Sequence, residues 1–151
     1  MSSAAESRFV YVTYIRTTPE RLWSALTTPE FMRQYWFDCH IATDWKRGSP
    51  WKLQFKDGRV ADAGTIIEID PPKRLVLEWR NEWSPEINAE GNGRCTMELE
   101  PGDGAVKLTV THTMAKPQSK LIDAVGGGWP KILSNLKSLL ETGEVVMKGK
   151  S

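Results

Sequence analysis

Two cysteines and two histidines in 151 residues leave little material for metal or redox chemistry. Cys39 and Cys95 lie far apart, so the chain has neither a disulfide framework nor a Cys-x-x-Cys pair, and two reduced thiols of a cytoplasmic protein are expected. No His-Glu-x-x-His helix and no acidic calcium loop is present, so no metal site and no other cofactor is expected. No Gly-x-Ser-x-Gly elbow or phosphate loop occurs. Gly126-Gly127-Gly128 lacks the spacing of a dinucleotide fingerprint and does not follow a strand of a βαβ unit. The formal charge is +1, from 20 basic and 19 acidic residues, which gives no electrostatic footprint for nucleic acid or an anionic membrane. No apolar run approaches the roughly 20 residues of a membrane span, and Met1 to Ser7 lacks the apolar stretch of a signal peptide.

What the chain does have is tryptophan. Seven of them, Trp23, Trp36, Trp45, Trp51, Trp79, Trp83 and Trp129, are many for this length. Each brings a large apolar body and an N–H that wants a partner. Most are expected to pack a core, and some to line a roomy apolar cavity.

Phe9 to Ile15 reads as a first strand, rich in aromatic and β-branched residues. Thr17-Thr18-Pro19-Glu20 and Thr27-Thr28-Pro29-Glu30 each read as a helix start: Thr caps, Pro suits the first turn, and Glu favours the positive end of the dipole. Asp57-Gly58, Asn92-Gly93 and Asp103-Gly104 are turn signals that separate strands, as does Asp70-Pro71-Pro72-Lys73, and together they predict an antiparallel meander. The Trp83–Glu90 stretch, with Pro85, reads as a loop or irregular strand edge. Alternation puts Trp51, Leu53 and Phe55 on one face, as it does Leu75, Leu77 and Trp79, then Cys95, Met97 and Leu99, then Val106, Leu108, Val110 and His112. Trp129, Ile132, Leu133, Leu136, Leu139 and Leu140 recur at helical spacing, so a C-terminal helix covers the dry face of the sheet. Three glycines and Pro130 are costly in a helix, about 1 kcal/mol for each Gly and about 3 for Pro, and predict a kink or break near Gly126–Gly128. The glycines suit either close approach of helix and sheet or a flexible ligand mouth.

The predicted fold is α+β, a helix grip with a curved antiparallel sheet of six to seven strands in the order β-α-α-β-β-β-β-β-β-α, wrapped on the long C-terminal helix. Thr18-Pro19-Glu20-Arg21-Leu22-Trp23-Ser24-Ala25-Leu26-Thr27-Thr28-Pro29-Glu30 resembles the P-E-x-V-W-x-A-L-T-D-P-E opening of activator of heat-shock-protein-90 ATPase homologue-like domains. Trp45 to Trp51, Ile69 to Leu75, Val110-Thr111-His112 and Gly128-Trp129-Pro130 through Glu141 resemble the same pattern. These domains belong to the wider START-like, SRPBCC group. The resemblance covers about Phe9 to Gly143 and implies one domain over 8–143, with 1–7 and 144–151 as flexible tails. It also implies a deep hydrophobic cavity. The group includes lipid and hormone carriers, polyketide cyclases and a co-chaperone that carries an extra N-terminal domain, so chaperone-linked stress function is one implied role.

By strand parity and helix phase, Trp51, Phe55, Trp79, Met97, Leu108 and His112 are expected to face Val125, Trp129, Leu133 and Leu136, with Trp36 and Phe37 at one mouth. His112 is the one titratable group on the inward face; Asp38, Asp62, Glu78 and His40 read as surface groups. With no catalytic set, the sequence points to noncatalytic binding of a small hydrophobic or aromatic, lipid-like or polyketide-like molecule, in a pocket of roughly 300–1,000 Å³. The alternatives are a cyclase- or hydrolase-like enzyme with His112 moving a proton, and a chaperone-associated interaction module.

Overall fold

The computed structural model describes residues 6–148. Strand β1 (Ser7–Ile15) leads into helices α1 (Pro19–Thr27) and α2 (Pro29–Tyr35). Six strands follow: β2 (His40–Ala42), β3 (Pro50–Gln54), β4 (Val60–Asp70), β5 (Arg74–Asn81), β6 (Gly93–Pro101) and β7 (Val106–Met114). A single-turn helix α3 (Pro85–Asn88) interrupts them between β5 and β6, and α4 (Lys120–Thr142) closes the fold. One seven-stranded sheet results, in the order β1-β7-β6-β5-β4-β3-β2, antiparallel throughout. The helix-grip architecture is therefore as the turn signals predict. The stretch 83–90, read as a loop or strand edge, instead holds α3, capped by Ser84, whose hydroxyl accepts from the Ile87 N–H.

Both early helices start at the Thr-Pro-Glu signals. Thr18 caps α1 by accepting from the Arg21 N–H at 3.2 Å. Thr28 occupies the same position before α2 but makes no side-chain cap; its hydroxyl lies 3.3 Å from Ser24 Oγ. Asp57-Gly58 and Asp103-Gly104 turn at glycines with φ of 91° and 73°. Asn92-Gly93 does not: the left-handed residue is Gly91, and Gly93 begins β6 opposite Trp79. A Cβ on Gly93 would sit 2.7 Å from the Thr113 carbonyl oxygen, so the residue serves close backbone approach rather than the turn.

The C-terminal helix is one unbroken element of 23 residues, and the break expected at Gly126–Gly128 does not occur. Packing outweighs propensity. Leu121 and Ile122 are buried before the glycines, and Trp129, Ile132 and Leu133 after them. Close approach explains one glycine: a Cβ on Gly126 would stand 3.2 Å from the Phe9 ring of β1. The start of α4 is fixed by Ser119, which accepts from the Ile122 N–H, and by the Glu90 carboxylate, which accepts from the N–H groups of Lys120 and Leu121. Gly143 ends it in the left-handed conformation. Beyond it, the frayed tail predicted over 144–151 is tied down where described. Buried Asn135 donates to the Met147 carbonyl and accepts from the Met147 N–H, each at 2.7 Å. The remainder of the predicted tails, 1–5 and 149–151, lies outside the described residues.

Candidate functional site

Where α4 crosses the inner face of the sheet, indoles meet. Trp51 and Trp79, on neighbouring inward rows of β3 and β5, have ring centroids 4.7 Å apart. Gly64 of β4 pairs with Trp51 and leaves room for that approach: a Cβ there would stand 1.7 Å from the Glu78 carbonyl oxygen and 2.9 Å from Trp51 Nε1. The same carbonyl accepts the Trp51 N–H at 3.0 Å. Trp129 of α4 stands 5.9 Å from Trp79 and 5.3 Å from Trp36, which caps α2. These four indoles pack ring against ring where the helix crosses the sheet.

The remaining void is a cleft of about 190 Å³, open to solvent. It is smaller than the pocket of roughly 300–1,000 Å³ expected from the sequence, and indoles form much of its wall. Of the residues predicted to line it, Trp36, Trp79, Val125 and Trp129 do. Met97, Leu108, Leu133 and Leu136 are buried in the core without lining it, and Trp51 lies behind Trp79. Phe55 sits half-buried beneath the Arg59 guanidinium, 5.0 Å from its ring. Phe37, in a left-handed conformation, lines a different and larger surface groove of about 520 Å³ with Arg33, Leu139 and the segment after Gly143. That groove shares no lining residue with the cleft.

His112 is fully enclosed. Its Nδ1 accepts from Trp129 Nε1 at 3.3 Å, its ring lies edge-on to Trp79 at 5.1 Å, and its Nε2 has no partner. Accepting at Nδ1 makes the ring the neutral Nε2–H tautomer. Burial pushes its pKa down to about 3, so it stays uncharged at neutral pH. It is a core histidine that orients Trp129 and does not line the cleft. His40, read as exposed, is half-buried on β2, with Nδ1 enclosed and unpartnered; burial and then Arg33 lower its pKa.

Asp62, Asn81 and Trp83 also line the cleft, though the sequence did not single them out for it. Asp62, read as a surface carboxylate, sits on the inner face. Leu53 pairs with Asp62 and Asp62 with Asn81, so the three form one inward row across β3, β4 and β5. A bulge at Ala61, where Leu53 pairs with Asp62 but Gln54 with Val60, sets that row at the sheet's edge. Burial raises the Asp62 pKa to about 6; the nearby Trp79 N–H draws it down, though outside hydrogen-bonding geometry, and Glu82 adds to the rise. The signal in the sequence was parity: Asp62 and Gly64 alternate in step with Ile66, a fully buried residue. Asn81 is buried, and its Oδ1 accepts from the N–H groups of Trp83 and Ser84, which turns the chain so that Trp83, 64% exposed, forms one rim.

A curved antiparallel sheet gripping one long helix, with an apolar cleft between them, defines a helix-grip domain of the SRPBCC kind. The chain belongs to the Activator of Hsp90 ATPase homolog 1-like protein family, whose model matches residues 16–141. No curated protein matches the chain. Among solved structures, protein MLL2253 from Mesorhizobium loti is 21% identical with a TM-score of 0.77, over 92% of this chain and 100% of that one. The Aha1 dimer from Colwellia psychrerythraea is 21% identical with a TM-score of 0.74, over 91% and 98%. DynU16, described as belonging to the dynemicin biosynthetic locus, is 20% identical with a TM-score of 0.73, over 91% of this chain and 48% of that one. At such identities these similarities show the fold. Among the described residues no helix is long and apolar enough to cross a membrane.

Proposed function

We propose that the protein binds a small hydrophobic or aromatic molecule, without chemical conversion, in the cleft between the sheet and α4. The observation that carries this reading is the cleft's lining: Trp36, Trp79, Trp83 and Trp129 around one polar pair, Asp62 and Asn81. Binding sites of this kind are mostly apolar and aromatic, with a few placed polar groups that fix orientation. The aromatic walls are set by backbone that only glycine permits, as at Gly64, so the shape exists before any ligand arrives. The likeness in fold to DynU16, described as a protein of a biosynthetic locus, is compatible with a small organic ligand. Enclosure of His112 away from the cleft favours binding over proton-transfer chemistry. The free, buried thiols of Cys39 and Cys95 suit a reducing compartment such as the cytoplasm.

The test is a calorimetric titration with neutral aromatic probes, beginning with 4-tert-butylphenol, on the wild type and on Ala124→Phe. Ala124 is an exposed position of α4 on the cleft's lip, so a phenyl ring there blocks entry without disturbing the core. Saturable binding with quenched Trp fluorescence, lost in Ala124→Phe at unchanged melting temperature, is expected. Undiminished binding in the variant would move the site elsewhere.

A further inference from the structure

Asp62 is the cleft's only carboxylate, and among the described residues it makes no hydrogen bond or ion pair. A carboxylate drawn partly out of water and left unpaired is costly, and such groups are ordinarily matched by a cation or by several N–H donors. The cleft supplies no cation, and of N–H donors only the Trp79 indole acts on Asp62, from outside hydrogen-bonding geometry. Its lining contains no Lys, Arg or His. Arg80, next to Asn81 in β5, pairs with Ala63 on the outer face of the sheet and is held by Glu82 at 2.6 Å. What surrounds Asp62 instead is indole. Trp79 adjoins it, and Trp83, Trp36 and Trp129 complete the wall. An indole face carries the negative end of the ring quadrupole and attracts cations, Trp being the best aromatic for this purpose. The cleft thus offers an unpaired carboxylate and aromatic surface, and no cation of its own to match Asp62.

We propose that the cleft selects a small organic ammonium ion, its cationic head against Asp62 and the Trp79 indole and its apolar part against Trp36, Val125 and Trp129. This assignment rests on the cleft being a ligand site, and it names the ligand's chemistry. A void of about 190 Å³ limits the occupant to a compact amine. The neutral state of Asp62 would favour the opposite choice, an uncharged ligand that accepts a hydrogen bond, so the two are separable by charge and by pH. The groups facing Asp62 leave the pH window clear. From β5 it meets Asn81 and Trp79, and just beyond that strand Glu82, already paired with Arg80; from the α2–β2 turn, Cys39, whose thiol burial lifts to about 11; from β3, Leu53; and from α4, apolar side chains.

The test compares 4-tert-butylphenol with its cationic isostere, 4-(trimethylammonio)phenol, by calorimetry at pH 7.0 on the wild type and on Asp62→Asn. The two probes have the same shape and differ in one charge. The wild type is expected to bind the cation roughly tenfold or more tightly than the neutral probe. Asp62→Asn should bring the ratio to about one while the neutral probe still binds. The wild type alone gives a second reading that needs no variant: the cation's affinity should fall several-fold as pH drops from 7.0 to 5.0, and the neutral probe's should not. Equal affinities, a preference for the neutral probe, or a cation preference that survives Asp62→Asn would overturn the ammonium assignment while leaving the cleft a binding site. Failure of both probes to bind would overturn both.

Discussion

His112 and Asp62 titrate in opposite directions, and each sign follows from burial. The neutral histidine has a folded pKa near 3, below the ordinary 6.5, so between those values the unfolded chain holds the extra proton. Its contribution to stability is therefore present at neutral pH and lost as pH falls below 6.5, by at most about 1.4 kcal/mol per pH unit. Asp62 has a folded pKa near 6 against an ordinary value of 3.8, so in that window the folded chain holds the extra proton. Its contribution runs the other way, with stability falling as pH rises from about 4 to 6. The Asp62 slope is the smaller, because the group is only half-buried and water screens it. Wild-type stability is thus expected to rise gently with pH from 4.5 to 6, the smaller Asp62 slope offsetting part of the His112 one. Urea midpoints measured across that range should rise with pH in Asp62→Asn and fall with pH in His112→Gln. Parallel curves for all three proteins would show that neither group is buried as described.

At the scale of elements, glycines of α4 and β4 have different jobs. Gly127 faces open space, with nothing within 4 Å of a Cβ, so Gly127→Ala should stabilise by up to about 1 kcal/mol through helix propensity alone. Gly126→Ala gains the same propensity but drives a methyl to 3.2 Å from the Phe9 ring, so denaturant midpoints should show little or no gain. Gly64→Ala, in β4, meets backbone at 1.7 Å and evicts the Trp51 ring, and the variant should fail to fold. A Gly126→Ala protein as stable as Gly127→Ala would show that helix and β1 are not in close contact. These three residues also mark what a sequence can and cannot disclose. Turn chemistry and alternation are local, so Asp57-Gly58, Asp103-Gly104 and the inward rows of β5, β6 and β7 could be read directly. Gly93, Gly126 and Gly64 look alike on paper, yet what each does depends on a distant partner. The same holds for the site. Trp36, Trp79, Val125 and Trp129 could be placed near one another by parity and helix phase. That Asp62 lies inside was legible by parity with Ile66, but that the indoles pack ring against ring and leave His112 sealed behind them depends on how rings pack across elements, which alternation does not encode.

For the whole molecule, the cleft draws its walls from the three parts that must stay docked for the fold to exist. Trp79 and Asp62 belong to the sheet, Val125 and Trp129 to α4, and Trp36 to the end of α2. Those residues, or their immediate neighbours, belong to one continuous core that also holds Leu22, Met32, Leu77 and Leu133. With a single core, unfolding should be one cooperative transition, and a cleft ligand cannot remain bound once α4 leaves the sheet. Occupancy is then linked to global stability rather than to a local loop. A ligand at 100 times its dissociation constant should add about 2.7 kcal/mol, which for a domain of this size raises the melting temperature by roughly 5–10 °C. Near-ultraviolet and far-ultraviolet circular dichroism should move together by that amount, since the indoles that report on the cleft also report on the core. If the indole signal shifted while the backbone signal did not, the ligand would be stabilising a part of the molecule that melts on its own, and the cleft would not be formed jointly by sheet and helix.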